Sequence, residues 1–230
     1  MPEPQAMKTP TLRDAGVAAA AMGAMYVLLL GQGLILVRAG VSRTVALTVL
    51  PVAVLVALAV PTVLLVRYMR RRGLELGFAR LGRRGWHLLW QAPAVVIGSA
   101  AATSVVAPLF GLEPRGDSAS ETLARDLDSA APVLLLLVGY LLIGPFIEEI
   151  VFRRVLMNYF DTLMPAAASV LATAAIFGAA HIAPPAIVFT FFAGIGLALV
   201  ARFHGTITAS YIVHVVNNLL ASAALIGALL

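Results

Sequence analysis

Apolar and polar positions along this chain alternate in long blocks, not with the short period of an amphipathic soluble helix or strand. Residues 17–37 carry no charge. Such a run reaches about 30 Å as a helix at about 1.5 Å per residue, enough to cross the hydrocarbon core of a bilayer. Comparable runs follow at 45–66 and 88–110. A fourth begins near Ala131 and runs into Glu148-Glu149, and others cover 164–181, 186–200 and 206–229. The pattern predicts an all-α membrane protein, a polytopic bundle of about seven (seven or eight) transmembrane helices. A cleaved signal peptide would have a shorter apolar region and a small-residue cleavage site. Three regions are expected: a cytoplasmic tail at 1–16, then 17–130 with the first spans and the polar loops, then a helical core at 131–230.

Composition agrees. Of the 230 residues 61% are hydrophobic and 12% charged, with a mean hydropathy of +0.97. A soluble domain is about 45–50% apolar and about 25% charged, so one of this size is excluded. With no cysteine there is no disulfide, thiolate nucleophile or thiolate-bound metal. Sixteen Lys and Arg against eleven Asp and Glu give +5, an excess that in a membrane protein sets orientation and does not imply nucleic acid. Seven arginines (Arg67, Arg70, Arg71, Arg72, Arg80, Arg83 and Arg84) flank the second loop against Glu75 alone. That loop is therefore expected inside, with the amino terminus, and the acid-leaning loop at 111–129 outside. The same cluster also suits an anionic-lipid surface. High Ala, Arg, Gly and Val content hints at a GC-rich bacterial source and its cytoplasmic membrane.

Ionisable groups inside spans cost about 2.5–3.5 kcal/mol each at a helix centre, so they point to function. Three patches stand out: Glu148-Glu149 with Arg153-Arg154, Phe177 with His181, and His214 with Asn217-Asn218. Counted from the turns expected near 160–164 and 204–206, they lie about 18, 24 and 12 Å deep at 1.5 Å per residue. With tilt, all three reach one level near mid-membrane, open to the cytoplasm through a wet cavity. The Pro184-Pro185 pair is expected to break the helix after His181. Glu149 and Arg153 are one turn apart and can pair; His214–Asn218 and Phe177–His181 repeat that spacing. On an α-helix Glu148 points about 100° away from Glu149 and is free for other work. Gly194 and Gly196 are expected at close helix contacts.

These residue types fit peptide hydrolysis by an activated water. A carboxylate and a histidine can take a proton from one water, and a second histidine with an asparagine can donate to the oxyanion. No cysteine exists, and Ser169 and Ser222 have no adjacent base in sequence.

The ordered motifs Glu148-Glu149-x-x-x-Arg153, Phe177-x-x-x-His181 and His214-x-x-x-Asn218 resemble those of the CPBP intramembrane proteases. That superfamily takes in type II CAAX prenyl endopeptidases and bacteriocin-processing and abortive-infection enzymes. The resemblance covers about 131–230. It implies that Glu148 and His181 activate the water and that His214 and Asn218 form the oxyanion site, with Glu149, Arg153 and Phe177 in support. It also implies a hydrophobic or lipidated peptide as substrate, membrane lipids as surroundings, and no required cofactor. The alternative is a zinc enzyme with Glu148, His181 and His214 as ligands, since three N/O donors and a water make a catalytic zinc site. The His-Glu-x-x-His spacing of many zinc proteases is absent. Outside the protease reading stand a non-catalytic scaffold or immunity protein and, further off, a proton-coupled carrier. Carriers show inverted repeats, whereas here the polar groups are confined to the second half.

Overall fold

The computed structural model describes residues 8–112, 130–181 and 184–227. Most of the polar loop expected on the outside, at 113–129, lies outside these residues. Among the described residues five helical stretches are long and apolar enough to cross a membrane, and two shorter apolar helices accompany them. The chain is an all-α polytopic bundle.

Helix α1 (Leu12–Arg38) begins earlier than the polar tail suggested. Thr11 and Asp14 form a capping box: Asp14 Oδ2 accepts from the Thr11 N–H at 2.8 Å, while Thr11 Oγ1 accepts from the Asp14 N–H at 3.4 Å. Reciprocal capping satisfies end donors that would otherwise face the chain unpaired, so the helix takes in residues that composition had assigned to the tail. Tyr68 and Arg72 then bind Asp14 Oδ1 at 2.7 and 3.1 Å, pinning α1 to the end of α2 (Arg43–Arg71). A 3-10 turn at Arg83–His87 leads into α3 (Leu88–Leu109).

Helix α4 (Ala130–Phe160) does not stop at the two glutamates. It runs a further three turns, with two stretches wound as π-helix, Gly139–Ile143 and Glu149–Leu156. Pro145 accounts for the consequence of the first. Gly144 N–H reaches back to Gly139 O, and Pro145 has no N–H to offer Tyr140 O. One carbonyl is thereby freed inside the membrane, where an unpaired backbone group is costly.

The fifth and seventh segments are shorter than expected. Helix α5 (Ala166–Ala179) ends before His181, so Pro184-Pro185 do not break it; they open α6 (Pro184–His204) instead. Proline suits a first helical turn, whose N–H groups lack partners in any case. Helix α7 (Ile207–Ala221), capped by Thr206, stops at Ser222 before the short α8 (Ala223–Gly227). At about 1.5 Å per residue neither α5 nor α7 alone spans about 30 Å of hydrocarbon.

Small residues let the helices approach. A Cβ added at Gly196 would meet Val95 at 2.8 Å, and one at Gly194 would meet Phe177 at 3.1 Å, so both glycines lie at close helix contacts as expected. At Gly178 an added Cβ would lie 2.9 Å from the backbone oxygen of Ile187, which cannot turn aside. Gly178→Ala is therefore expected to lower stability by about 1–3 kcal/mol, whereas Gly98→Ala, with open space at its Cβ, leaves it unchanged or higher. Thermal unfolding in detergent checks this; equal midpoints for the two variants would contradict the packing.

Candidate active site

The three polar patches come together around one imidazole. His214 on α7 is 4% exposed at its side chain and lies between the two glutamates of α4. Its Nδ1 is 3.0 Å from Glu149 Oε1, and its Nε2 is 3.4 Å from Glu148 Oε2. Glu148, expected to point away from its neighbour, thus faces the same ring from the other edge. An ionised carboxylate only accepts, so Glu149 fixes the proton of His214 on Nδ1.

Glu149 is fully buried and is charge-compensated on every side the structure shows. Arg153 Nη1 stands 3.0 Å from Oε1 as an ion pair. Ser210 donates to Oε2 at 2.5 Å, and His214 supplies the third contact. Arg153 is itself buried, donating to Gly194 O at 3.3 Å and lying 4.4 Å from the Phe177 ring centroid. Glu148 differs: 12% of its side chain is exposed, so of the two carboxylates it is the one that water can reach.

His181 joins through Phe177, whose ring centroid is 4.9 Å from that of His181 and 5.8 Å from that of His214. The His181 Nδ1 bonds Phe177 O at 2.9 Å, which leaves Nε2 as its free ring nitrogen. The position of Asn218 follows from the π turn. Its Nδ2 donates at 3.0 Å to Tyr140 O, the carbonyl that Pro145 left unpaired, and its Oδ1 accepts from Asn217 at 3.2 Å. One Nδ2 proton remains for a ligand.

Two supports escaped the sequence reading. Ser210 is one turn before His214, so Ser210, His214 and Asn218 form a single stripe at i,i+4 spacing; the spacing was visible and the serine passed over. The other is the strap from α2 to α3. Its Gly77 carbonyl accepts from Ile207 N–H and Thr206 Oγ1 at 3.1 and 3.0 Å. Thr208 Oγ1 donates to Ala79 O at 2.8 Å. Phe78 stacks on Phe146, 5.1 Å between centroids and 8° off parallel, with its edge against Tyr211. Gly77 has φ +86 and an added Cβ would lie 2.9 Å from Arg154, so only glycine fits there. Arg154 ties the strap and the amino-terminal segment to α4, donating to Glu75 O and Lys8 O at 2.8 and 3.0 Å.

Among the described residues no three His, Asp or Glu side chains gather as a metal site requires. Removing one member of the buried ion pair is expected to cost more than removing both. Glu149→Leu strands Arg153, at about 3–5 kcal/mol, while Glu149→Leu/Arg153→Met is expected to recover part of that. Denaturant unfolding of the two singles and the double measures the coupling; additive losses would contradict the pairing.

No curated protein and no solved structure matches the chain. One family does: residues 130–220 match the model described as Rce1-like, type II CAAX prenyl endopeptidase. That segment contains Glu148, Glu149, Arg153, Phe177, His181, Ser210, His214 and Asn218, and its match supports the CPBP superfamily and, at family level, a CAAX-type intramembrane protease.

Proposed function

We propose that this chain is an intramembrane endopeptidase that hydrolyses a peptide bond in a hydrophobic or lipidated, CAAX-like substrate by means of an activated water. The observation that carries the reading is His214 held between a buried, compensated carboxylate and a reachable one.

Glu148, with His181 orienting the water, takes a proton from it as general base. The hydroxide attacks the scissile carbonyl and the electron pair moves to its oxygen. His214, which carries a proton on each ring nitrogen between the two carboxylates before substrate arrives, donates from Nε2 to that oxyanion without giving the proton up, while Glu149 accepts from Nδ1–H and balances the ring's charge, as a buried carboxylate does for a catalytic histidine elsewhere. The remaining Nδ2 proton of Asn218 is the second donor. Such donors are each worth about 2.7–4 kcal/mol in the transition state. Glu148 then passes its proton to the leaving amine, and the bond breaks with atoms and charge balanced. Arg153 keeps Glu149 ionised, and Phe177 walls the two histidines. No metal enters these steps. Charge in the strap and the tail favours a cytoplasmic entrance in a bacterial plasma membrane.

A quenched farnesylated CAAX peptide and a panel of hydrophobic peptides, presented to detergent-purified wild type and Glu148→Gln, test the proposal. The variant is expected to elute as a folded species and to lose about 10²–10⁴-fold in rate, with wild-type activity surviving exhaustive chelation. Equal cleavage by the two proteins would remove Glu148 from the chemistry. Loss on chelation, restored by Zn²⁺, would replace the metal-free step.

A further inference from the structure

The bond that Pro145 cannot make fixes two side-chain amides in turn. Tyr140 O, left without an N–H from position 145, can only accept, so it is Nδ2 of Asn218 that faces it, at 3.0 Å. Asn218 Oδ1 is thereby turned towards Asn217. A carbonyl oxygen again only accepts, so Asn217 meets it with Nδ2, at 3.2 Å. Asn217 Oδ1 is left on the far edge of that amide as an acceptor. Among the described residues it has no donor.

The surroundings of Asn217 are those of the site. It comes seven residues after Ser210 on α7, so at about 100° per residue the two share one line of the helix to within about 20°. That line faces the bundle, since Ser210 is fully buried against Glu149. His214, three residues before Asn217, is buried as well. Asn217 itself is only half-buried, so open space borders this face of α7 directly beyond the histidine. It lies ten residues after Ile207, about 15 Å along the helix and near the middle of a hydrocarbon core of about 30 Å. An amide oxygen at that depth is costly without a donor, and polar groups within spans point to function.

We propose that Asn217 binds the substrate main chain, its Oδ1 accepting the N–H of the residue whose carbonyl is attacked. The inference rests on the protease reading and adds a substrate contact to it. In an extended peptide the N–H and C=O of one residue leave the chain along the same edge. A carbonyl held by His214 Nε2 and Asn218 Nδ2 therefore turns its own residue's N–H towards α7. The two adjacent asparagines then offer that residue one donor and one acceptor. A hydrophobic or lipidated peptide has few polar groups besides its main chain, so contacts of this kind are what set its register. The contact disfavours proline or an N-methyl residue at that position, since neither has an N–H to give.

The full-length protein in detergent is given the quenched farnesylated CAAX peptide and a series in which each main-chain nitrogen in turn is methylated. Mass spectrometry of the wild-type products locates the cut bond. Methylating the residue that supplies the attacked carbonyl is expected to raise the wild-type KM about three- to tenfold, the range of one neutral hydrogen bond. Asn217→Ala is expected to show the same rise with the unmethylated peptide and no further rise on methylation. The larger part of its loss falls in KM, because Asn218 keeps its bond to Tyr140 O. A loss confined to kcat, the mark of a residue that only positions Asn218, would overturn the proposal, as would a methylation effect undiminished in Asn217→Ala. Wild-type indifference to methylation at that residue would overturn it without any variant. A binding arm needs no cleavage: fluorescence anisotropy of the same labelled peptides on wild type and Asn217→Ala. If wild type cuts nothing yet binds with one methyl-sensitive position that Asn217→Ala abolishes, the protease reading falls and the contact stands. Cleavage without that sensitivity leaves the protease and removes the contact; absence of both removes the two together.

Discussion

A carboxylate cannot remain charged in the interior of a bundle unless its neighbours replace the water it has lost. Glu149 is that carboxylate here, and much of the second half of the chain is arranged to answer it. Arg153 supplies opposite charge from the next turn, Ser210 a hydroxyl, and His214 a ring N–H. Once Glu149 is satisfied in this way the tautomer of His214 is set, and with it the direction in which Nε2 can act. Glu148, one residue away and partly reachable, then faces a histidine already held in place. The adjacent glutamates differ by burial: one is enclosed and holds the histidine, the other is left within reach of water.

The helix carrying both glutamates is irregular on each side of them, and the irregularity is put to use. The first π stretch and Pro145 free a carbonyl that Asn218 occupies, tying α7 to α4 one turn past the histidine. The second π stretch contains Glu149, Arg153 and Arg154. Arg154 and the Phe78 wedge then lock the far end of α4 and the start of α7 to a strap that lies outside the family-matched segment. The site is thus built from residues 130–220 and braced by the first half of the chain.

The sequence made some of this legible and hid the rest, for reasons that are physical. Long uncharged runs announced the membrane helices, because a bilayer demands length and apolarity together. Glu149–Arg153 and His214–Asn218 were legible because one helical turn fixes what shares a face. Glu148 and Glu149 stand one helical step apart, but that both carboxylates meet one ring was hidden, because His214 comes from a helix distant in sequence. The start of α1 was missed because hydropathy outweighed a capping signal at Thr11 and Asp14. The early ends of α5 and α7 were hidden because apolar residues continue past them. Contacts distant in sequence, such as Phe78 with Phe146 or Arg154 with Lys8, leave no periodic trace at all.

The claim beneath all of this is that Glu149 holds His214 with its proton on Nδ1. The ¹⁵N spectrum of histidine-labelled protein in detergent, with His214 assigned through His214→Gln, tests it directly. The account predicts an Nδ1–H in a strong hydrogen bond, lost in Glu149→Gln, with Nε2 as the nitrogen whose signal responds to Glu148→Gln. A His214 protonated on Nε2, with Nδ1 bare and indifferent to Glu149→Gln, would contradict it.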